Sequence, residues 1–266
     1  MKKITLEEKK IVLLDILTAV DTFCKEHDIR YSMACGTMLG AVRHKGFIPW
    51  DDDVDIYMLR DDYERFESLF PKVYKGVYQL ISPQRNSNWH LPYGKIADNR
   101  TIIVNSYVKT IPYGINIDVF VIDDVPDDEQ LWLNFRKKQK KIIQRNLHHI
   151  YRIKSVKGLR EKLSILFAKL YCGKSQQRII ERINHFITQY NHHGYKHCFE
   201  CVQGLHVNHP FNKELFDELI EWPFEERKYM GFKNADSYLK NTYGDYMKLP
   251  PKEKQVSHHV EIGCWR

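Results

Sequence analysis

The chain has 266 residues, 43% hydrophobic and 13% aromatic, enough for one substantial core and too apolar for disorder. Its formal net charge is +7, and no apolar run approaches the length needed to cross a bilayer. The opening Met1 to Lys10 is too charged to begin a secretory signal, so a cytoplasmic protein is expected, with Cys24, Cys35, Cys172, Cys198, Cys201 and Cys264 as reduced thiols.

Thr5 and Glu8 form a capping-box pair that opens a helix expected from about Leu6 to His27, with Val12, Ile16, Ala19, Val20 and Phe23 as its apolar face. Tyr31 to Ala34 reads as a short strand and Gly36-Thr37 as a tight turn. Met38 to Arg43 then opens a helix whose N-terminal amides suit phosphate. Next comes Pro49-Trp50-Asp51-Asp52-Asp53-Val54-Asp55-Ile56. On a strand, Asp53 and Asp55 share one face while Val54 and Ile56 enter the core. Two carboxylates so close repel each other unless a hard divalent ion, Mg²⁺ or Mn²⁺, is held between their oxygens. A lone Asp-x-Asp is usually a solvated or capping run, so the reading needs further support.

That support lies downstream. Asp61-Asp62 is expected to cap a helix carrying Tyr63, Phe66, Leu69 and Phe70, and strands are expected at Tyr78 to Ser82, Gly94 to Ala97 and Ile115 to Ile122. The last of these shows Asp118 isolated among apolar neighbours, which is costly for an acid without a task. The fold class expected is α/β (α+β), with a mixed-sheet core.

Gly36-Thr37, then Asp53-x-Asp55, then a distant single acid match the signature of the nucleotidyltransferase superfamily. More narrowly, the continuous stretch from Gly36-Thr37-Met38-Leu39-Gly40 through Arg43-His44-Lys45-Gly46 to Pro49-Trp50-Asp51-Asp52-Asp53 closely resembles the LicD family of phosphotransferases. Tyr243-Gly244-Asp245-Tyr246-Met247-Lys248-Leu249-Pro250-Pro251 is similar to the same family, so the resemblance reaches both ends of the chain.

The resemblance implies transfer of phosphocholine from CDP-choline to a hydroxyl of a cell-surface glycan or teichoic acid precursor, lipid-linked or free, with release of CMP. It implies that Asp53, Asp55 and Asp118 are the catalytic, metal-holding acids, and that Gly36 and Thr37 hold phosphate oxygens. Asp118 is also the candidate general base. Arg43, Lys45 and Lys95 are candidates for diphosphate contacts, and Asp51 for a water-mediated metal contact or for orienting Lys45 or Arg43. A quaternary cation such as choline wants aromatic faces, for which Trp50, Trp89, Tyr93, Tyr107, Tyr113, Tyr243 and Tyr246 are available. His258 is a candidate from the tail. Transfer of another CDP-linked polyol phosphate, nucleotidyl transfer to a small molecule, and a non-catalytic glycan-binding module stay open.

The division expected is a catalytic core with its N-terminal helix at 1–126, a basic helical region at 127–209 and a C-terminal segment at 210–266. From Arg136 to Lys162 the chain carries a dense run of Lys and Arg against the single acid Glu161, interleaved with Ile142, Ile143, Leu147 and Ile150 and followed by Leu163, Ile165, Leu166 and Phe167. Such amphipathic helices present either a solvated face or a peripheral contact with an anionic membrane. Nucleic acid is not expected as a partner, since no helix-turn-helix, RNP or zinc-finger pattern accompanies the charge. Helical spacing continues over Gln177 to Tyr190 and, in the tail, over Ala235 to Tyr243. Cys198 and Cys201, with His192, His193, His197, His206 and His209 nearby, pose the alternatives of a structural Zn²⁺ site or ordinary reduced residues.

Overall fold

The computed structural model describes residues 1–104, 111–150, 158–172, 175–202, 209–256 and 262–266. Thr5 caps α1 (Leu6–Glu26): its hydroxyl accepts the Glu8 N–H at 3.1 Å while its own N–H donates to the Glu8 carboxylate at 2.9 Å, the reciprocal box read from the sequence. After β1 (Ser32–Met33) comes α2 (Cys35–His44), which starts earlier than the expected Met38, so Gly36 and Thr37 sit inside its first turn and form no separate bend. The cause is tertiary. Ala34 at the N-cap has no side-chain acceptor, and the Tyr238 hydroxyl accepts the Cys35 N–H at 2.9 Å in its place.

β2 (Asp55–Leu59) begins at the second acid of the pair, leaving Asp53 just outside the strand. α3 (Arg60–Val73) follows without a loop, with Leu59 at its N-cap. Asp61 and Asp62 lie in its first turn and do not cap it. They complement the helix dipole there, and Asp62 accepts the Arg30 guanidinium at 3.1 Å. The chain continues through β3 (Tyr78–Ile81), β4 (Gly94–Asp98), β5 (Thr101–Ile103) and β6 (Asn116–Val125), then α4 (Glu129–Ile150), α5 (Leu159–Cys172) and α6 (Gln176–Ile187). Last come β7 (His197–Glu200), β8 (Phe211–Asn212), β9 (Leu219–Phe224), β10 (Arg227–Phe232), α7 (Ala235–Tyr243) and β11 (Gly263–Trp265).

The main sheet runs β1-β2-β6-β4-β3, with β7 also on β6 and β8 beyond it. β6 is its spine: it pairs in parallel with β2, while its first half takes β4 and its second half β7, both antiparallel. The mixed α/β class expected is the one observed. One face of the spine shows Ile117, Val119 and Val121 and, on β2, Ile56 and Met58, all nearly or wholly buried; α1 and α3 pack against these strands and meet through Phe23, Phe66 and Phe70. The opposite face carries the acids.

The chain ends meet, since β11 pairs with β5 and the Ile4 N–H donates to the Gly263 carbonyl at 3.0 Å. The β9–β10 hairpin packs on β1 and α2. At its tip, Glu225 donates its N–H to the Lys45 carbonyl at 2.8 Å and accepts the Phe47 N–H at 2.8 Å, fixing the loop that leads into the acids. None of the described helices is long and apolar enough to cross a membrane.

Candidate active site

Asp55 and Asp118 are direct partners in the parallel β2–β6 register, which puts their side chains on one face of strands about 4.8 Å apart. Lys95 is the antiparallel partner of Asp118 across the β4–β6 ladder. Its ammonium pairs with the Asp118 carboxylate and donates to Asn116 Oδ1 at 2.9 Å. Asp53, one pleat before Asp55, and Asp51 complete the cluster. Burial, then the charges of Asp53, Asp118 and Asp51, push the Asp55 carboxyl well above the usual carboxylate range, while Lys95 opposes the shift. Three neighbouring acids thus weigh on the charge of Asp55 at the ends of two strands.

The first turn of α2 meets this cluster. The Thr37 hydroxyl, 3% exposed, accepts the Asp55 N–H at 2.8 Å and ties the helix to the start of β2. Gly36 faces Asp51 so closely that a Cβ there would lie 2.5 Å from Asp51 Oδ2, so only glycine lets this carboxylate approach the helix N-terminus. Beneath the acids the same sheet face is closed by aromatic rings. Tyr57 packs edge-on to Phe120 and Tyr238, and Tyr93 packs on Phe120.

The remaining expected residues divide. Tyr243, at the end of α7, leaves 43% of its surface exposed, yet burial and the nearby Cys35, Tyr238, Asp55 and Asp51 push its phenol up, so the hydroxyl end belongs to the site while the rest stays open. Arg43 donates to the Tyr246 carbonyl at 2.6 Å beside it. Lys45 is exposed and ends α2 in the left-handed region, φ 59°. Trp50 packs edge-on to His44, next to Arg43. Among the other aromatics, Trp89 and Tyr113 pack into a small satellite core and Tyr93 is buried, which leaves them no face for a ligand cation. Tyr107 and His258 fall outside the described residues.

One residue near the cluster was not singled out. Glu200, 3% exposed on β7, pairs in register with Ile122 on the acid-bearing face of β6; burial pushes up the Cys35, Tyr57 and Tyr93 groups, and the charge of Glu200 adds a smaller push in the same direction. The alternation His197-Cys198-Phe199-Glu200 held that signal, since it reads as a strand with an acid at its end. Cys198 and Cys201 are buried free thiols, pushed up by burial, and Cys201 donates to the Phe199 carbonyl at 3.5 Å. His197 bonds Asp127 at 2.8 Å and His192 lies 3.7 Å from Asp61, so these side chains take separate partners.

Among the described residues, no three His, Cys, Asp or Glu side chains are gathered as a ready-made metal cage. At the acids this goes with Lys95, which takes up Asp118. The donor set still fits a hard cation: all its atoms are carboxylate oxygens, and mutual repulsion together with burial already disfavours charge on Asp55. Oxygen chemistry of this kind suits Mg²⁺ or Mn²⁺ better than a soft, thiolate-seeking ion.

Comparison with known proteins adds three findings. A family model described as LicD/FKTN/FKRP, nucleotidyltransferase domain, matches residues 28–157. The lipopolysaccharide cholinephosphotransferase LicD of Haemophilus influenzae is 31% identical over 276 aligned positions, covering 98% of each chain. Uncharacterized proteins of Rickettsia typhi and Rickettsia prowazekii are each 34% identical over 28% and 33% of this chain.

Proposed function

The chain belongs to the LicD family, and on that premise we propose that it transfers phosphocholine from CDP-choline to a hydroxyl of a lipopolysaccharide-type glycan, releasing CMP. The observation that carries the reading is the pairing of Asp55 with Asp118 in register beside the first turn of α2, in a chain similar along its whole length to a cholinephosphotransferase.

In the proposed step the acceptor oxygen bonds to the choline-bearing phosphorus, the bond from that phosphorus to the CMP oxygen breaks, and CMP leaves with the electron pair. The hydroxyl proton passes to Asp118, which Lys95 orients and Asn116 steadies in turn. Asp53, Asp55 and Asp118 are the residues that would hold Mg²⁺ or Mn²⁺, which when bound supplies positive charge against the diphosphate. Lys95, paired with Asp118, is the cation placed against that charge, and Arg43 is the candidate for a second contact. The half-open ring of Tyr243 offers the choline methyls an aromatic face, with Asp51 and Asp55 close to its hydroxyl end. The five free cysteines among the described residues, all buried or half-buried, favour a reducing compartment and so the cytoplasmic side of the membrane.

The test is CMP release from CDP-choline, with and without a glycan acceptor. Acceptor-dependent CMP supports the reading. CMP from CDP-ribitol or CDP-glycerol but not from CDP-choline moves the donor, and diphosphate release from a nucleoside triphosphate replaces group transfer with nucleotidyl transfer.

A further inference from the structure

The described part of α5 wears its apolar side outward. Leu159, Leu163, Leu166, Phe167 and Leu170 are 46–74% exposed, while Ile165 is buried and the helix packs on α4. Projected at about 100° per residue, those five positions fall in one sector roughly 100° wide, turned away from Ile165. Arg160 and Lys162, both exposed, flank the two edges of that sector, whereas Glu161 projects to the far side. On the neighbouring α4, Lys137, Lys138, Lys141 and Arg145 are exposed as well.

A solvated helix needs no such stripe, because an exposed run of this size costs hydration and invites aggregation. We propose that α5 lies in the interface of an anionic lipid bilayer, with Phe167 and the four leucines among the acyl chains and the flanking cations at the headgroups. From Leu159 to Leu170 the stripe is roughly 17 Å long at about 1.5 Å per residue, and it lies along the surface without spanning it. Charge selects this occupant over the others. A second copy would bring cation-rimmed stripes together with no acid on the same face to answer them, and nucleic acid would meet large aliphatic groups where its phosphates need donors. The surface stands apart from the transfer reading, since it needs neither donor nor acceptor; were the acceptor lipid-anchored, it would also bring enzyme and acceptor to one plane.

The experiment is co-sedimentation of the full chain with vesicles of phosphatidylcholine alone and of phosphatidylcholine containing about one part in four of phosphatidylglycerol. The expected result is binding to the anionic vesicles that weakens with salt. Leu163→Ser with Phe167→Ser, and separately Arg160→Glu with Lys162→Glu, are each expected to weaken binding about tenfold or more while leaving the melting temperature unchanged, since all four side chains are exposed. Equal binding by wild type and both variants overturns the proposal. So does a concentration-dependent dimer that either variant abolishes, which assigns the face to a second copy, or equal retention on vesicles and on RNA, which leaves only bulk charge. CMP release measured in the same preparations, free of vesicles, reports on the transfer chemistry separately.

Discussion

The Thr37 hydroxyl accepts the backbone N–H of Asp55 at 2.8 Å, so the helix that opens the site and the strand that carries its acids are joined by one buried hydrogen bond. Thr37→Val keeps the shape and removes the acceptor. It is expected to cost about 1–3 kcal/mol in denaturant unfolding and to lower turnover, because an unpaired buried N–H is expensive and Asp55 loses its anchor. Thr37→Ser restores both. A valine variant as stable and active as wild type would remove this bond from the account.

Neutralising Asp55 should separate function from stability. Asp55→Asn removes a buried carboxylate repelled by its half-buried neighbours Asp53, Asp118 and Asp51, so turnover is expected to fall about a hundredfold or more while stability in chelator stays equal or rises. Asp53→Asn should lose activity likewise with the fold intact. Loss of stability together with activity in Asp55→Asn would point to a structural carboxylate.

Metal addition gives a readout free of turnover. At a concentration about a hundred times the dissociation constant, Mg²⁺ is expected to stabilise the wild type by about 2.7 kcal/mol, several degrees in Tm, relative to chelator. Asp55→Asn should show little of that gain. An identical Tm with and without Mg²⁺ and Mn²⁺ would count against a metal at these acids.

Acid sensitivity should pass through His90. This side chain is 3% exposed, its Nδ1 has no hydrogen-bond partner among the described residues, and burial lowers its pKa from 6.5 to about 4. The folded state therefore binds its proton less readily than the unfolded chain. The stability tied to neutral His90 is present above pH 6.5 and drains away as pH falls toward 4, by about 3 kcal/mol at most. His90→Leu should flatten unfolding free energy against pH across that window, whatever its absolute stability; an unchanged slope would assign acid sensitivity elsewhere.

Gly40 tests the packing behind the site. A Cβ at this position would lie 2.4 Å from the Gly46 carbonyl oxygen, a backbone atom with little room to move. Gly40→Ala is expected to cost about 1–3 kcal/mol and to disturb the loop that reaches Asp53. Thermal melts of the variant check it.

What the sequence revealed was what lies close along the chain. The Thr5–Glu8 box and the α7 bounds are local signals, and both appear where expected. Asp118 stood out because an acid inside an apolar alternation has no cheap structural use, and the sheet sets it beside Asp55. Local signals failed where a distant residue supplies the cap. The start of α2 depends on Tyr238, so Gly36 and Thr37 looked like a turn. The β9–β10 hairpin hid for a related reason: its two-residue link, Glu225-Glu226, lacks the Asn-Gly or Asp-Gly pair that favours positive φ, and Glu225 adopts φ 54° regardless. The alternation at His197 to Glu200 marks an acid in a strand, but only the sheet pairing shows that Glu200 faces the side of β6 that carries the acids.

Glu225 also bears on how such proteins can be recombined. The stretch matched by the family model, 28–157, stops well short of the residue whose carboxylate and amide grip Phe47 and Lys45. A chimera that imports only that stretch from a relative would set the relative's acid-bearing loop against this chain's own Glu225. Exchanging the hairpin in the same graft would keep the two halves matched, so the site is heritable as a pair of segments and not as one.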